Sequence, residues 1–191
     1  MRKLEIGPGQ VRTPDGQPKN TWDTVDTHYN PTHTAVWGRD ALPAENNSYD
    51  WVHASHVLEH VPWWNVHKAV KEVYRILKPG GIFTVWVPDA AKIFKQYLDD
   101  PEGLVELEAK WPCGNLNRDQ DAWTYLNARV FWGARPGELG QEQHFHRSMF
   151  GSKSLAGILN KCGFAKTRYI ERDVTVDPGH GWMECGVEGT K

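Results

Sequence analysis

The sequence predicts an α/β fold built on a mostly parallel β-sheet. Short segments rich in β-branched and aromatic residues alternate with segments whose apolar residues recur at helical spacing, and Gly, Pro, Asn or Asp bound most of them. The chain has 191 residues, of which 39% are hydrophobic, and no shift in composition divides it. We therefore expect one domain over residues 1–191.

Strands are predicted from local composition. The segments are Arg2 to Ile6, Trp22 to Asp26, Ala35 to Trp37, Tyr49 to Ala54 and Gly81 to Val87, followed by a final hairpin of Phe164 to Glu171 and Trp182 to Val187. Residues Gln10 to Asn20, between the first two strands, contain prolines and no apolar periodicity. The first crossover helix is therefore expected to be shortened or missing.

The clearest helix is predicted from about Asn65 to Leu77, where Lys78 to Gly81 form the stop signal. A second helix is predicted to have Ser152 as its cap and to end at Gly163. Weaker helical patterns lie between them, at Ala90 to Leu98, Leu104 to Trp111 and Asp121 to Phe131. We expect residues 89–150 to cover the carboxyl edge of the sheet, and with it the substrate.

Charge and cysteine content restrict the partners and the compartment. The formal net charge is −2, which provides no general field for binding duplex nucleic acid. Three scattered cysteines without CxxC spacing predict neither a disulfide framework nor a thiolate zinc site. No leader pattern and no apolar run of about 18 residues is found, so we expect a cytoplasmic protein without a membrane span.

The stretch Glu5 to Gly9 is the strongest local signal of a ligand site. Two glycines at the end of a strand let the chain turn sharply and let a ligand approach the backbone. Glu5 lies within the strand, where a buried carboxylate needs a cationic or hydrogen-bonding partner, for which a ligand ammonium group is one candidate. The GxGxxG pattern of dinucleotide sites lacks its third glycine here, which disfavours NAD and FAD. Asp26 follows about 20 residues later, at the position of a ribose-binding acidic residue.

In order along the chain, six segments resemble the class I S-adenosylmethionine-dependent methyltransferases. They are Leu4 to Gly9, Val25 to Asp26, Arg39 to Pro43, Ser48 to Val52, His56 to His60 and Leu77 to Gly81. The chain looks closest to small predicted methyltransferases with an Ala-Ser-His-Val-Leu-Glu-His segment and a later His-x-His stretch. The resemblance implies a Rossmann-like sheet with helices on both faces and an antiparallel last strand.

The same resemblance implies S-adenosyl-L-methionine as the cofactor and S-adenosyl-L-homocysteine as the product. Gly7, Pro8 and Gly9 would wrap the methionine part, with Glu5 directed toward its amino group. Asp26, with Thr27 beside it, would accept hydrogen bonds from the ribose hydroxyls.

The resemblance also places two further pairs of residues at the cofactor. Asp40 and Ala41 would flank the adenine, and Ser55 and His56 would lie beside the reactive methyl group. The implied activity is methyl transfer to a hydroxyl or amine of a small molecule or glycan precursor, and homodimer formation is compatible with the sequence. A nucleotide-binding oxidoreductase and a non-catalytic module that binds the cofactor are the alternatives.

Histidines provide the candidates for a catalytic base, namely His56, His60 and His144. His56 to His60 also match the HxxEH pattern of zinc peptidases. That pattern requires a helix, whereas His56 follows directly on a predicted strand and Pro62 comes soon after. No third zinc ligand is identifiable from the sequence, so we predict no metal site. Glu59 is instead expected to cap backbone amides.

Each of the other conspicuous sets of side chains has two alternative roles. His144 and His146 share one side of an extended segment, so they face a substrate or metal together, or one is packed and the other solvated. Tryptophans after the fourth strand and within residues 89–150 either stack on a sugar or pack in the core and between subunits. They are Trp63, Trp64, Trp111, Trp123 and Trp132. Arg129 and Arg135 either bind an anionic substrate group or are solvated.

Overall fold

A computed structural model describes residues 1–9, 21–28, 30–110, 121–131, 145–172 and 181–191, with only the backbone described for residues 108–110. The strands are β1 (Lys3–Ile6), β2 (Asp23–Asp26), β3 (His33–Thr34), β4 (Tyr49–Ser55), β5 (Leu77–Pro88), β6 (Lys166–Ile170) and β7 (Glu184–Thr190). The helices are α1 (Val66–Ile76), α2 (Ala90–Asp99), α3 (Pro101–Lys110), α4 (Ala122–Phe131) and α5 (Ser152–Lys161). Short 3-10 turns span Leu58–His60, Trp63–Asn65 and Gly181–Met183.

The strands form one seven-stranded sheet in the order β3-β2-β1-β4-β5-β7-β6. Strands β1 to β5 pair in parallel, whereas β7 is antiparallel to both β5 and β6. The predicted α/β class, the mostly parallel sheet and the antiparallel last strand are confirmed. The predicted loss of the first crossover helix falls on residues 10–20, which lie outside the described part.

The predicted third strand is wrong in position. Ala35 and Trp37 form no strand, and β3 consists of the two preceding residues, His33–Thr34. Ala35 and Trp37 are nevertheless buried in the main core, and the Trp37 indole donates to the Ala69 carbonyl at 3.0 Å. Burial of a loop therefore produced the apolar signal that composition alone assigned to a strand.

Helices α1 and α5 pack against one face of the sheet and form the main core with it. Helix α1 buries Val66, Ala69, Val70, Val73 and Ile76 along one side. The helix ends one residue before its predicted limit, because Leu77 is already extended and begins β5. Among the described residues, no helix is both long and apolar enough to cross a membrane.

Helix α5 begins differently from its prediction. Ser152 is the first helical residue, and Gly151 occupies the cap position. The hydroxyl of Ser154 accepts from the Gly151 amide at 3.0 Å and donates to the Gly151 carbonyl at 2.9 Å. Ser154, a residue of the first turn, therefore caps the N-terminus of this helix through its hydroxyl group.

Helices α2, α3 and α4 follow β5 and form a second, smaller apolar cluster. Its buried members are Leu104, Ala122 and Tyr125, with Trp182 packed against them. The three helices agree with the weak patterns predicted in residues 89–150, although α3 begins earlier than expected, at Pro101. A bridge between Asp89 and Phe150 ties the two ends of this segment together beside the sheet.

Candidate active site

A cavity of about 470 Å³ opens at the carboxyl ends of the parallel strands. Residues that end or follow β1, β2, β3 and β4 line it, including Gly7, Asp26, Val36 and His56. Residues after the fourth strand continue the wall as far as Asn65, and Arg147 is added from the later segment. Open α/β sheets bind ligands at this edge, and the volume lies within the range of small-molecule sites, roughly 300–1,000 Å³.

The glycine turn after β1 needs its two glycines for different reasons. Gly7 has φ +67° and packs so closely that a Cβ atom there would lie 2.3 Å from a methyl group of Val57. Gly9 has φ +57°, and apart from its chain neighbours none of the described residues lies within 4 Å of the point that a Cβ atom would occupy. Both glycines line the cavity, while Pro8 between them does not. The turn thus presents bare backbone to the cavity.

Asp26 lies where β2 ends, and its carboxylate is fixed by backbone amides. Oδ1 accepts from the Thr27 amide at 2.6 Å and from the His28 amide at 3.2 Å. Oδ2 accepts from the Gly9 amide at 3.3 Å. Asp26 and Thr27 both line the cavity, so these two predicted residues lie beside the glycine turn.

Glu5 lies in β1 but is not part of the cavity wall. Its side chain is buried, with 6% exposed, and Oε1 lies 3.9 Å from Nδ1 of His53 on the neighbouring strand β4. A histidine of the sheet itself therefore lies near the carboxylate for which a cationic or hydrogen-bonding partner was predicted. Direct contact with a ligand amino group remains a prediction.

Asp40 and Ala41 also lie outside the cavity wall, which Val36, Trp37 and Arg39 form on this side. The Asp40 carboxylate accepts from the Val36 amide at 2.9 Å and from the Arg39 guanidinium at 2.9 and 3.0 Å. These contacts lower the pKa of Asp40 to about 2. Asp40 thus holds the loop that forms the wall, and its contact with adenine stays a prediction.

His56 is held between two carboxylates. Its Nε2 lies 3.0 Å from Oε2 of Glu184, and its Nδ1 lies 3.4 Å from Oε1 of Glu59. Burial opposes the charged imidazole, but the two carboxylates outweigh burial and raise the pKa of His56. With φ +54°, His56 also has a left-handed backbone that is uncommon outside glycine and that turns the chain at the end of β4.

Arg172 and Glu184 complete this charged network and were missed by sequence reasoning. Arg172 donates to both Glu184 oxygens, at 2.6 and 2.9 Å, and to the Ser55 hydroxyl at 3.0 Å. The Arg172 guanidinium also lies 4.2 Å from the centre of the Trp86 ring. Although burial opposes it, His56 and Arg172 lower the pKa of Glu184 to about 2. The sequence does contain one signal for Glu184, because it is a carboxylate within an otherwise apolar predicted strand.

Glu59 lies in the turn after β4 and is almost completely buried, with 1% of the residue exposed. Neither of its carboxylate oxygens has a hydrogen-bond partner among the described residues, so the predicted capping of backbone amides is wrong. Its backbone carbonyl, rather than its side chain, accepts hydrogen bonds from the amides of Arg147 at 2.7 Å and Ser148 at 3.0 Å. Burial opposes ionisation, but the neighbouring histidines lower the pKa of Glu59.

Two histidines approach this carboxylate. One ligand atom from each of Glu59, His60 and His146 lies within 4.8 Å of the other two. His60 also lines the cavity. Burial lowers the pKa of His146 to about 4, so its ring is neutral at neutral pH. The third predicted base candidate, His144, lies outside the described residues.

The tryptophans and arginines singled out in the sequence fall into different environments. Trp63, Trp64 and Trp123 are exposed at 70%, 65% and 62%, so none of them packs in the core of this chain. Trp64 lines the cavity mouth. Arg129 is buried in α4 and is not a solvated surface residue. Trp111, Trp132 and Arg135 lie outside the described residues.

Comparisons with known proteins agree with this arrangement of strands. A family model described as a methyltransferase domain matches residues 4–169 of the chain. A comparison with curated proteins gives no significant match.

Several solved structures have a similar fold. A SAM-dependent methyltransferase from Thermotoga maritima, named a possible histamine N-methyltransferase, is 16% identical, with TM-score 0.55 over 100% of this chain and 82% of that chain. A SAM-dependent methyltransferase from Archaeoglobus fulgidus is 12% identical, with TM-score 0.56 over 100% and 86%. The 1,6-didemethyltoxoflavin-N1-methyltransferase of Burkholderia thailandensis was crystallised with 1,6-didemethyltoxoflavin and S-adenosylhomocysteine. It is 14% identical, with TM-score 0.54 over 99% and 70%. At these identities the likeness is one of fold.

Proposed function

The chain belongs to the family of methyltransferase domains, in the class that uses S-adenosylmethionine, and from that premise we propose that it methylates a hydroxyl or amine of a small molecule. A glycan precursor is included in this acceptor class. The single observation that carries the proposal is the cavity at the carboxyl ends of β1, β2 and β4, where a bare glycine turn meets the carboxylate of Asp26.

The cofactor half of the cavity is assigned by the chemistry of its wall. Asp26 supplies acceptor oxygens for ribose hydroxyls, and the backbone of Gly7 and Gly9 supplies a surface that a polar amino-acid group can approach. Val36 and Trp37 supply an apolar wall for the adenine. When bound, S-adenosylmethionine supplies an electrophilic methyl group on a positively charged sulfur.

The acceptor half of the cavity is assigned to the residues after β4 and to Arg147. His60, Trp64 and Asn65 line this part, and residues 89–150 supply its cover in our proposal. The exposed Trp64 ring offers a stacking surface for a sugar or an aromatic ring. Two of the similar structures are named for N-methyltransferases, which supports an amine as one acceptor type.

Proton removal is assigned to His60 rather than His56. Both nitrogens of His56 face carboxylates, so neither is free to take a proton from an acceptor in the cavity. We assign His56 a positioning role, in which it joins Glu59 to Glu184 at the cavity wall. His60 lines the cavity and would take the acceptor proton as the new bond to the methyl carbon forms and the carbon–sulfur bond breaks.

A cofactor-binding experiment tests the proposal against its two alternatives. Titration calorimetry with S-adenosylhomocysteine and, separately, NADH should give one site for the first ligand and none for the second. Binding of NADH alone would sink the methyltransferase proposal in favour of an oxidoreductase. Release of S-adenosylhomocysteine from S-adenosylmethionine is then measured with hydroxyl and amine acceptors. Tight binding without turnover across both acceptor classes would favour the non-catalytic module.

A further inference from the structure

We propose that Glu59, His60 and His146 form a binding site for one divalent transition-metal ion, of the zinc or iron(II) type, beside the acceptor half of the cavity. Two imidazoles and one carboxylate are a frequent ligand set for these ions. The use of this ion for binding the acceptor rests on the proposed function, whereas metal binding itself does not.

The three ligand atoms already lie close together. All are within 4.8 Å of one another, and Nε2 of His146 is 3.9 Å from Oε1 of Glu59. Around a tetrahedral ion with ligand bonds of about 2.1 Å, ligand atoms are about 3.4 Å apart. Side-chain rotations that move the ligand atoms by about 1 Å therefore complete the site, without movement of the backbone.

Both histidines are oriented as metal ligands usually are. Nδ1 of His60 lies 3.2 Å from the Phe145 carbonyl, and Nδ1 of His146 lies 3.2 Å from the Arg129 carbonyl. A carbonyl oxygen can only accept, so the neutral form of each ring would carry its proton on Nδ1 and its lone pair on Nε2. A backbone carbonyl that fixes the tautomer in this way is the common outer partner of a metal-bound histidine.

Glu59 supplies the independent reason for an ion at this place. Its side chain is 2% exposed, and neither oxygen has a hydrogen-bond partner among the described residues. Buried carboxylates are normally hydrogen-bonded, ion-paired or bound to a metal. The contact to His56 at 3.4 Å involves Oε1 and leaves Oε2 without a hydrogen bond among the described residues. A cation between Glu59 and the two rings would satisfy the carboxylate that the protein leaves without hydrogen bonds.

The scaffold around the cluster is tightly bonded. The amides of Arg147 and Ser148 donate to the Glu59 carbonyl, and the Ser148 hydroxyl donates to the Val61 carbonyl at 2.6 Å. The His146 amide donates to the Phe131 carbonyl at 2.9 Å. These bonds hold the segment with His146 against the turn with Glu59 and His60, as a preorganised site requires.

Three protein ligands leave at least one coordination position open. His60 and Arg147 both line the cavity, so the open position is on the side where the acceptor is proposed to bind. The ligand class for that position is an oxygen or nitrogen donor, which matches a hydroxyl or amine acceptor. A bound ion would occupy the Nε2 lone pair of His60, so in the metal-bound protein the ion would promote release of the acceptor proton to water by lowering the pKa of the coordinated acceptor, and His60 would serve as the base only without the ion. If these three side chains formed only an ion-pair network, there would be no ion and so no coordination position for an acceptor.

Cobalt binding provides the test, because Co(II) replaces zinc and its visible absorption reports the ligand set. The whole chain, without an affinity tag, is dialysed against a chelator and titrated with Co(II). We expect one ion per chain, and at least about tenfold weaker binding in His146→Ala and His60→Ala. His67→Ala is the matched control, because His67 is an exposed histidine of α1, and it should bind as the wild type does.

Folding and cofactor binding are measured on the same samples. The two histidines are replaced separately, so His60→Ala keeps the test valid if the His146→Ala variant, whose side chain is 11% exposed, fails to fold. Wild-type protein that binds S-adenosylhomocysteine but not Co(II) or Zn(II) would overturn the metal site and leave the proposed function standing. Equal Co(II) binding by all variants would also overturn it. Loss of S-adenosylhomocysteine binding by folded wild-type protein would instead contradict the proposed function.

Discussion

At the scale of single residues, the site is governed by carboxylates whose partners differ. Asp26 is fixed by backbone amides and faces the cavity, Glu184 is neutralised by His56 and Arg172, and Glu59 is buried without a hydrogen bond among the described residues. The residue type is nearly the same in all three cases. The local donors decide whether such a group can bind a ligand, hold the structure or bind a cation.

The first prediction concerns Asp26. We expect Asp26→Ala to weaken S-adenosylhomocysteine binding by about 1–3 kcal/mol, because a charged acceptor of hydrogen bonds is lost. Titration calorimetry measures the change, and Asp99→Ala, at an exposed carboxylate of α2, serves as the control. Unchanged affinity in Asp26→Ala would remove this residue from the cofactor site.

The second prediction concerns the pH dependence of stability. A carboxyl group whose pKa falls on folding stabilises the protein above its unfolded pKa, here 4.5, and loses that effect as the pH falls toward the folded value of about 2. We expect Glu184→Gln to cost about 3 kcal/mol at pH 6 and clearly less at pH 3. Urea unfolding at several pH values measures the difference.

Glu188→Gln is the matched control for that experiment. Glu188 lies on the same strand and pairs with Arg168, whose side chain is 67% exposed, so its removal should cost less than about 1 kcal/mol. A cost for Glu184→Gln that did not shrink between pH 6 and pH 3 would contradict the assigned ion pair.

At the scale of elements, local patterns located the strands and helices well but not every boundary. Helix α1 and strand β4 were found within one or two residues, because α1 has a helical apolar pattern over its whole length and β4 is rich in strand-forming residues bounded by turn residues. The two-residue strand β3 was misplaced, because the buried side chains of Ala35 and Trp37 lie just beyond it. Short elements are set by their neighbours rather than by their own sequence.

The third prediction separates the two glycines of the turn after β1. Gly9→Ala should cost about 1 kcal/mol, the usual penalty of a positive φ for alanine. Gly7→Ala should cost more, about 2–4 kcal/mol, because its Cβ would also overlap with Val57. Denaturant unfolding measures both costs.

Gly80→Ala is the control for Gly9→Ala. Gly80 has φ +78° and open space around it, but it lies outside the cavity wall. We expect similar losses of stability in the two variants and a loss of S-adenosylhomocysteine affinity only in Gly9→Ala. Equal affinities would place the cofactor away from this turn.

At the scale of the whole molecule, the cavity joins two parts of different origin. One wall belongs to the parallel sheet and its first loops, and the other is built from the turns after β4 and the segment that returns from α4. In our proposal, the sheet supplies the general cofactor site, and the later segment supplies the features that distinguish acceptors. This division follows from the topology of open α/β sheets.

The fourth prediction tests that division. Trp64→Ala should raise KM for the methyl acceptor roughly fivefold, equivalent to about 1 kcal/mol of aromatic contact, and leave S-adenosylhomocysteine affinity unchanged. Steady-state kinetics and calorimetry measure the two effects. Trp123→Ala is the control, since Trp123 is similarly exposed but is not part of the cavity wall. A loss of cofactor affinity in Trp64→Ala would place Trp64 in the cofactor half.

The sequence by itself determined the features that depend on neighbours along the chain. These are the glycine turn after β1, the acidic residue at the end of β2 and the amphipathic helices, and each was found because its signal lies within a few residues. The sequence also located Glu59 and His60, although it gave them other roles.

Only the tertiary structure decided the partners of these residues. His56 meets Glu184 across 128 positions of sequence, and Glu59 and His60 meet His146 only because the segment after α4 is bonded to the turn after β4. In the sequence, the absence of an identifiable third ligand argued against zinc at His56 and His60. Folding brings a different set together, Glu59, His60 and His146, because hydrogen bonds between distant segments join side chains that no local pattern connects.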